Sequence, residues 1–91
     1  MKSTTFQFEL RLISDNAIES LQFLRNELAS LHGVNGAEVD VKGSDAVLRV
    51  HVSFVDGDAA KKIHRKLVTR LNKTAGVAVT AATSNLSEIF G

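Results

Sequence analysis

Cysteine, proline, tryptophan and tyrosine are all missing from this 91-residue chain. Without cysteine there can be no disulfide, no thiolate metal site and no thiol nucleophile. That fits a reducing compartment, and a cytoplasmic location is the expectation. The aromatic residues are five phenylalanines. Surfaces that stack bases or grip proline-rich peptides need more than that. Charge of one sign is also lacking. Eleven Lys and Arg face ten Asp and Glu, for a net charge of +1. No global field therefore draws the chain to nucleic acid or to a membrane surface. No apolar run is long enough to cross a bilayer. Met1 to Thr5 leads straight into an alternating segment, so no signal peptide is expected.

What remains is strongly patterned. Phe6, Phe8, Leu10 and Leu12 alternate with Thr5, Gln7, Glu9 and Arg11, which predicts a strand over 5–13 with one buried face. Ser14-Asp15-Asn16 supplies helix N-cap candidates, and Glu19 completes a capping box with Asn16. Ile18, Leu21, Leu24, Leu28 and Leu31 follow as a helical stripe. His32-Gly33 ends that helix, with glycine free to adopt the left-handed turn. Ala37, Val39 and Val41 alternate with Glu38, Asp40 and Lys42 in a second strand. Lys42-Gly43-Ser44-Asp45 is hairpin chemistry. Leu48, Val50, Val52 and Phe54 mark the inner face of a third strand. Asp56-Gly57-Asp58 caps a second helix, whose inner stripe is Ala60, Ile63, Leu67 and Leu71. Gly76 stops it before a last strand from Val77 to about Thr83.

The halves 5–41 and 46–82 are alike, each a strand-helix-strand unit. Two right-handed units joined by a hairpin interleave into a ferredoxin-like βαββαβ plait. The expected fold is α+β, a four-stranded antiparallel sheet with two helices on one face. Residues 1–91 form one domain, with a core over 5–83 and a tail over 84–91 that carries Leu86, Ile89 and Phe90. The uncovered sheet face presents Gln7, Glu9, Arg11, Glu38, Asp40, Lys42, Arg49 and His51.

The chemistry on offer is sparse. His32, His51 and His64 read as surface histidines on a helix end, an outward strand position and a charged helix face. His51 is expected beside Asp40. No pair has ligand spacing, and no metal or other cofactor is expected. Glu38 and Asp40 share a strand face but lie on an open sheet, which does not suit acid-base hydrolysis. No phosphate-cradling glycine loop is present. The chain therefore reads as a non-enzyme. Helix two carries six basic residues, and Lys61, Lys62, Arg65 and Lys66 form a candidate docking face for a partner.

The run Leu31 to Val41 resembles heavy-metal-associated domains at that stretch. Soft-metal transfer needs sulfur in the loop after strand one, and Ile13-Ser14-Asp15-Asn16 has none. A degenerate carrier without metal ligands is the most this likeness supports. The segments NELASLHGVNGAEVDVKGSDAVLRVHVSF and AAKKIHRKLVTRLNKTAGVAVTAATSNL resemble ACT-type and RAM-type regulatory modules over most of residues 5–86. The likeness rests on two glycine-valine steps, Gly33-Val34 and Gly76-Val77, each opening a strand after a helix. It implies a homo-oligomer that binds an amino acid or similar small effector where subunits pair. By position, the ligand candidates are Ser14, Asp15 and Asn16, with Gly33, Val34 and Asn35 as a second element. Asp15-Asn16-Ala17 departs from the tight glycine turn such modules place there. The cytosolic C-terminal domain of a membrane protein, as in the MgtC family, has the same outline. It would serve interaction or oligomerisation without a ligand, with an enzyme or membrane protein as partner.

Overall fold

The computed structural model describes residues 2–74 and 76–83. Its elements are β1 (Lys2–Leu12), α1 (Ala17–Ala29), β2 (Val34–Lys42), β3 (Asp45–Phe54), α2 (Gly57–Asn72) and β4 (Val77–Thr83). The strands form one antiparallel sheet in the order β2-β3-β1-β4. This is the ferredoxin-like plait. β1 and β3 form its centre because each crossover steps over one strand. The apolar tail positions Leu86, Ile89 and Phe90 lie outside the described residues.

Alternation determines which face is buried. Phe6, Phe8 and Leu10 of β1 and Ala46, Leu48, Val50, Val52 and Phe54 of β3 are all buried under the helices. Gly43 and Ser44 make a two-residue turn, with Gly43 at φ 61. A glycine in that conformation at the first turn position suits a type II′ hairpin. The turn places Lys42 opposite Asp45 and so sets the register of β2 on β3. β1 starts three residues earlier than its alternation signals, at Lys2, pairing with Phe54. Its far end stops at Leu12, and Ile13 is exposed.

The helices differ in how they begin. Asp56 caps α2 through its side chain, accepting from the Ala59 amide at 2.9 Å. Asn16 stands at the α1 N-cap without a side-chain cap bond, so the expected capping box does not form. The buried column of α1 is Ala17, Leu21, Leu24 and Leu28. Ile18, expected in that column, is 46% exposed. It lies one residue around the helix and faces Val39 and Val41 at the β2 edge. In α2, Ala60, Leu67 and Leu71 are buried and Ile63 packs partly against them.

The two halves repeat closely. Ala17, Leu21, Leu24, Leu28, Gly33 and Val34 recur at one constant offset as Ala60, His64, Leu67, Leu71, Gly76 and Val77. Both glycines have positive φ, 89 and 78. Gly33 lies beyond the α1 C-cap, Ser30, so it opens the strand instead of closing the helix. Space at Gly76 is already taken: an added Cβ would meet the Ser14 side chain, its Cβ at 3.0 Å.

The repeat exposes one anomaly. Leu21 is buried, and its counterpart is His64. This histidine is half-buried, with one side of its ring turned into the core. Its ring meets Phe6 edge-on at 5.1 Å and stacks on Phe8 at 5.8 Å. Its Nε2 is enclosed, with no hydrogen-bond partner among the described residues. Burial pushes the His64 pKa below its ordinary 6.5. The unfolded chain therefore takes up this proton first as pH falls. Stability should drop as pH passes below about 6.5 and level off once folded His64 also protonates. His64→Leu, which copies Leu21, should flatten that part of a denaturation-midpoint profile between pH 7 and 5. An unchanged slope would show that His64 does not couple folding to protons.

Candidate functional site

Three places on this surface combine a concavity or a polar cluster with accessible side chains. The first is a groove of about 530 Å³ between the helices, lined in part by Phe23, Leu24, Glu27 and Arg70. Phe23 is 73% exposed there. The groove is electrostatically balanced. Glu19 and Glu27 face Arg70 and Lys73, and Arg70 Nη1 is paired with Glu27 Oε1. It has volume, but its two acids and two bases leave no net charge to select a small ligand.

The second place is the open sheet face. His51 Nδ1 shares a hydrogen bond with Thr5 Oγ1 at 2.9 Å, and His51 Nε2 lies 3.4 Å from Glu38 Oε1. The carboxylate beside His51 is thus Glu38, not Asp40. The two-residue hairpin is the reason: it sets Asp40 opposite Val47 and His51 opposite Gly36, with Glu38 diagonal to it. Arg49 lies between Gln7 and Glu38 across the strands. A hydroxyl, an imidazole and a carboxylate in a row invite thoughts of nucleophilic chemistry. That chemistry needs a cleft that excludes water and donors for an oxyanion. This row lies on a flat, wetted sheet.

The third place is a cleft of about 380 Å³ at one end of the plait. Here the α1–β2 loop, the end of β3 and the first half of α2 converge. The Ser53 amide donates to the Gly33 carbonyl at 2.8 Å and ties the loop to β3. Asn35 Nδ2 donates to Ser53 Oγ at 2.6 Å. Phe54, Val55, Ala59 and Ile63 supply the apolar surface, and Val55 is 68% exposed at the rim. His32, Lys62 and Lys66 supply cationic or protonatable groups. Lys62 and Lys66 are one helical turn apart and so share a flank of α2. Among the described residues, no Asp or Glu lines the cleft.

The candidate residues divide between the two ends of the fold. Gly33 and Asn35 line the cleft, together with Lys62 and Lys66. Val34 lies between Gly33 and Asn35, but its side chain packs against the core. Ser14, Asp15 and Asn16 lie at the opposite end, about 20 Å away along α1, given its 13 residues. There the Ile13 amide donates to the Gly76 carbonyl, and Ser14 backs onto Gly76. One chain does not bring both loops to one ligand. Lys61 and Arg65 border a separate depression beside His64 and Val68. Arg65 and Lys66 together line a further depression with Arg70 and Lys73, so of the four cations Lys62 and Lys66 line the cleft and the others lie beside it on α2. Ser53 and Val55 are cleft residues that the sequence pattern did not single out, and Phe54 and Ile63 are ones it assigned to the core alone. Their signal was topological: β3 ends where α1 hands over to β2.

Among the described residues, no three of His, Cys, Asp and Glu come together to hold a metal ion. No described helix is long and apolar enough to cross a membrane.

No protein-family model and no curated protein matches the chain. Solved structures do. A structural-genomics structure of the protein YJCS superposes with a TM-score of 0.65 at 14% identity, covering 90% of this chain and 95% of that one. At that identity the likeness establishes the fold alone. A formyltetrahydrofolate deformylase from Pseudomonas putida KT2440 matches at 13% identity with a TM-score of 0.44. The match covers 91% of this chain but 29% of the deformylase, and it carries no argument. Neither likeness separates an ACT module from other ferredoxin-like plaits.

Gly33 holds the cleft open. A Cβ there would come within 2.8 Å of Ile63 Cδ1 and 3.3 Å of the Ser53 carbonyl oxygen. Gly43 has a similar backbone conformation but open space around it. Gly43→Ala should cost about 1–2 kcal/mol, the strain of a left-handed alanine. Gly33→Ala should cost more, because the clash adds to the strain. Urea midpoints of the two variants decide it; equal losses would mean that Ile63 yields freely and the wall is soft.

Proposed function

We propose that this domain is a non-enzymatic regulatory module that binds a small, amino-acid-sized effector in the end cleft. One observation carries the reading. The cleft gathers Gly33, Asn35, Lys62 and Lys66 over an apolar floor, so two of the six ligand candidates and half of the docking candidates become one place. Its volume is near the lower end for small-molecule sites. Its walls belong to three different elements, so an occupant bridges them. A ligand that prefers one spacing of α2 against the α1–β2 loop shifts the domain toward that spacing.

A second copy of the chain belongs to this reading. Ser14, Asp15 and Asn16 sit at the far end of the plait. They reach an occupied cleft only from another subunit. The same arrangement lets effector binding report on assembly, which is what regulation of a partner enzyme or membrane protein requires.

A thermal-shift panel of amino acids, organic acids and nucleotides tests the proposal. A ligand present at a hundredfold excess over its Kd stabilises by about 2.7 kcal/mol, which is readily seen. The expected result is a rise in Tm with one compound class. Ile63→Trp, which fills the cleft, and Lys62→Glu, which reverses a charge, should each abolish it. No shift across the panel, or a shift that survives both changes, contradicts the reading. A docking domain without ligand is the competing view, and exposed Phe23 in the interhelical groove is what favours it.

A further inference from the structure

The charge pattern of the cleft narrows its occupant further, on the premise that the cleft is the effector site. We infer that the cleft selects a small organic acid with an apolar body and no ammonium group, rather than the amino acid of the same skeleton.

The argument starts from what lines the cleft. Lys62 and Lys66 project from one flank of α2, and His32 lies across from them on the α1–β2 loop. Neither lysine makes an ion pair among the described residues. A carboxylate entering here meets two cations that form no ion pair among the described residues. The apolar part of the ligand then lies on Phe54, Ala59 and Ile63, with Val55 at the rim.

An amino acid brings a second group, its ammonium, within two bonds of the carboxylate carbon. Wherever the lysines hold the carboxylate, the ammonium is held near them too. Like charges at that range repel. A site that accepts zwitterions answers the ammonium with a carboxylate. Among the described residues this cleft has none. The nearest acids by sequence are Asp56 and Asp58. Asp56 is committed to the α2 N-cap through the Ala59 amide. Asp58 lies one turn before Lys62 and outside the lining. What the cleft does offer is neutral: the Asn35 amide and the Ser53 hydroxyl, already bonded to each other. They can orient a keto or hydroxyl oxygen but do not cancel a positive charge. Specificity here comes from an unpaired charge on the wrong ligand as much as from contacts to the right one.

Three probes share one branched skeleton and separate the charges: 4-methylpentanoate, leucine and 3-methylbutylamine. Each is titrated into the full 91-residue chain while backbone amide resonances are followed by NMR. The expected order of affinity is acid, then amino acid, then amine. The acid should bind at least tenfold tighter than leucine, with saturable shifts at Gly33, Asn35, Ser53 and Lys62. Lys62→Gln combined with Lys66→Gln should weaken the acid at least tenfold and leave the amide spectrum otherwise folded. Raising the salt concentration should shrink the gap between acid and amino acid. Leucine binding as tightly as the acid overturns this inference and leaves the effector cleft standing. So does a compound of another class that perturbs these amides when no acid does. If no compound perturbs them, the effector reading fails and the inference fails with it.

Discussion

Everything in this molecule depends on a sheet that is sealed on one side only. Phe6, Phe8 and Leu10 from β1 and Leu48, Val50 and Val52 from β3 form a continuous apolar underside at the centre of the sheet. Two helical columns, led by Leu21, Leu24 and Leu28 and by Leu67 and Leu71, close over it. Burial of this surface is the main favourable term available to a chain with no disulfide and no metal centre among its described residues. The constraint propagates outward. Because β1 and β3 must lie centrally, β2 and β4 become edges. Because each helix returns the chain antiparallel to its strand, the connecting loops divide between two ends. The cleft at Gly33 and the loop at Ser14 are opposite products of that one arrangement.

Much of this was legible in the sequence, for a physical reason. A half-buried strand must alternate, and an amphipathic helix must repeat at three and four. Those periods hold in all the elements that cover the core. The two glycine-valine steps were legible as well, since a chain turning from helix to strand in so few residues needs a positive φ. Less legible was anything decided by a single residue of phase. Ile18 belongs to the same run as Leu21, yet Ala17 takes the buried place, because Ala17 lies four residues before Leu21 on the column that continues through Leu24 and Leu28, and Ile18 is one residue around the helix from it. His64 looked like one more polar residue in a basic helix. Only alignment of the two halves shows that it occupies a leucine's position.

The candidate site was legible in part, and its residues divide between two ends of the fold. Gly33, Asn35, Lys62 and Lys66 come together because α1 and β3 end on the same side of the sheet, beside the start of α2. Ser14, Asp15 and Asn16 do not join them, because α1 lies between. Sequence patterns report which face a residue takes, not which end of a sheet it reaches. The neighbour of His51 shows the same point at smaller scale. Glu38 and Asp40 look equivalent from alternation, and the length of one turn decides between them.

Amide hydrogen exchange tests the one-sided sheet most directly. On this account the amides of β1 from Phe6 to Leu10 and of β3 from Leu48 to Val52 exchange only through global unfolding. They should form the slowest class, while the free edge of β2 opens locally and exchanges faster. Central-strand amides that exchange as fast as those of β2, in a chain that is otherwise folded, would contradict it.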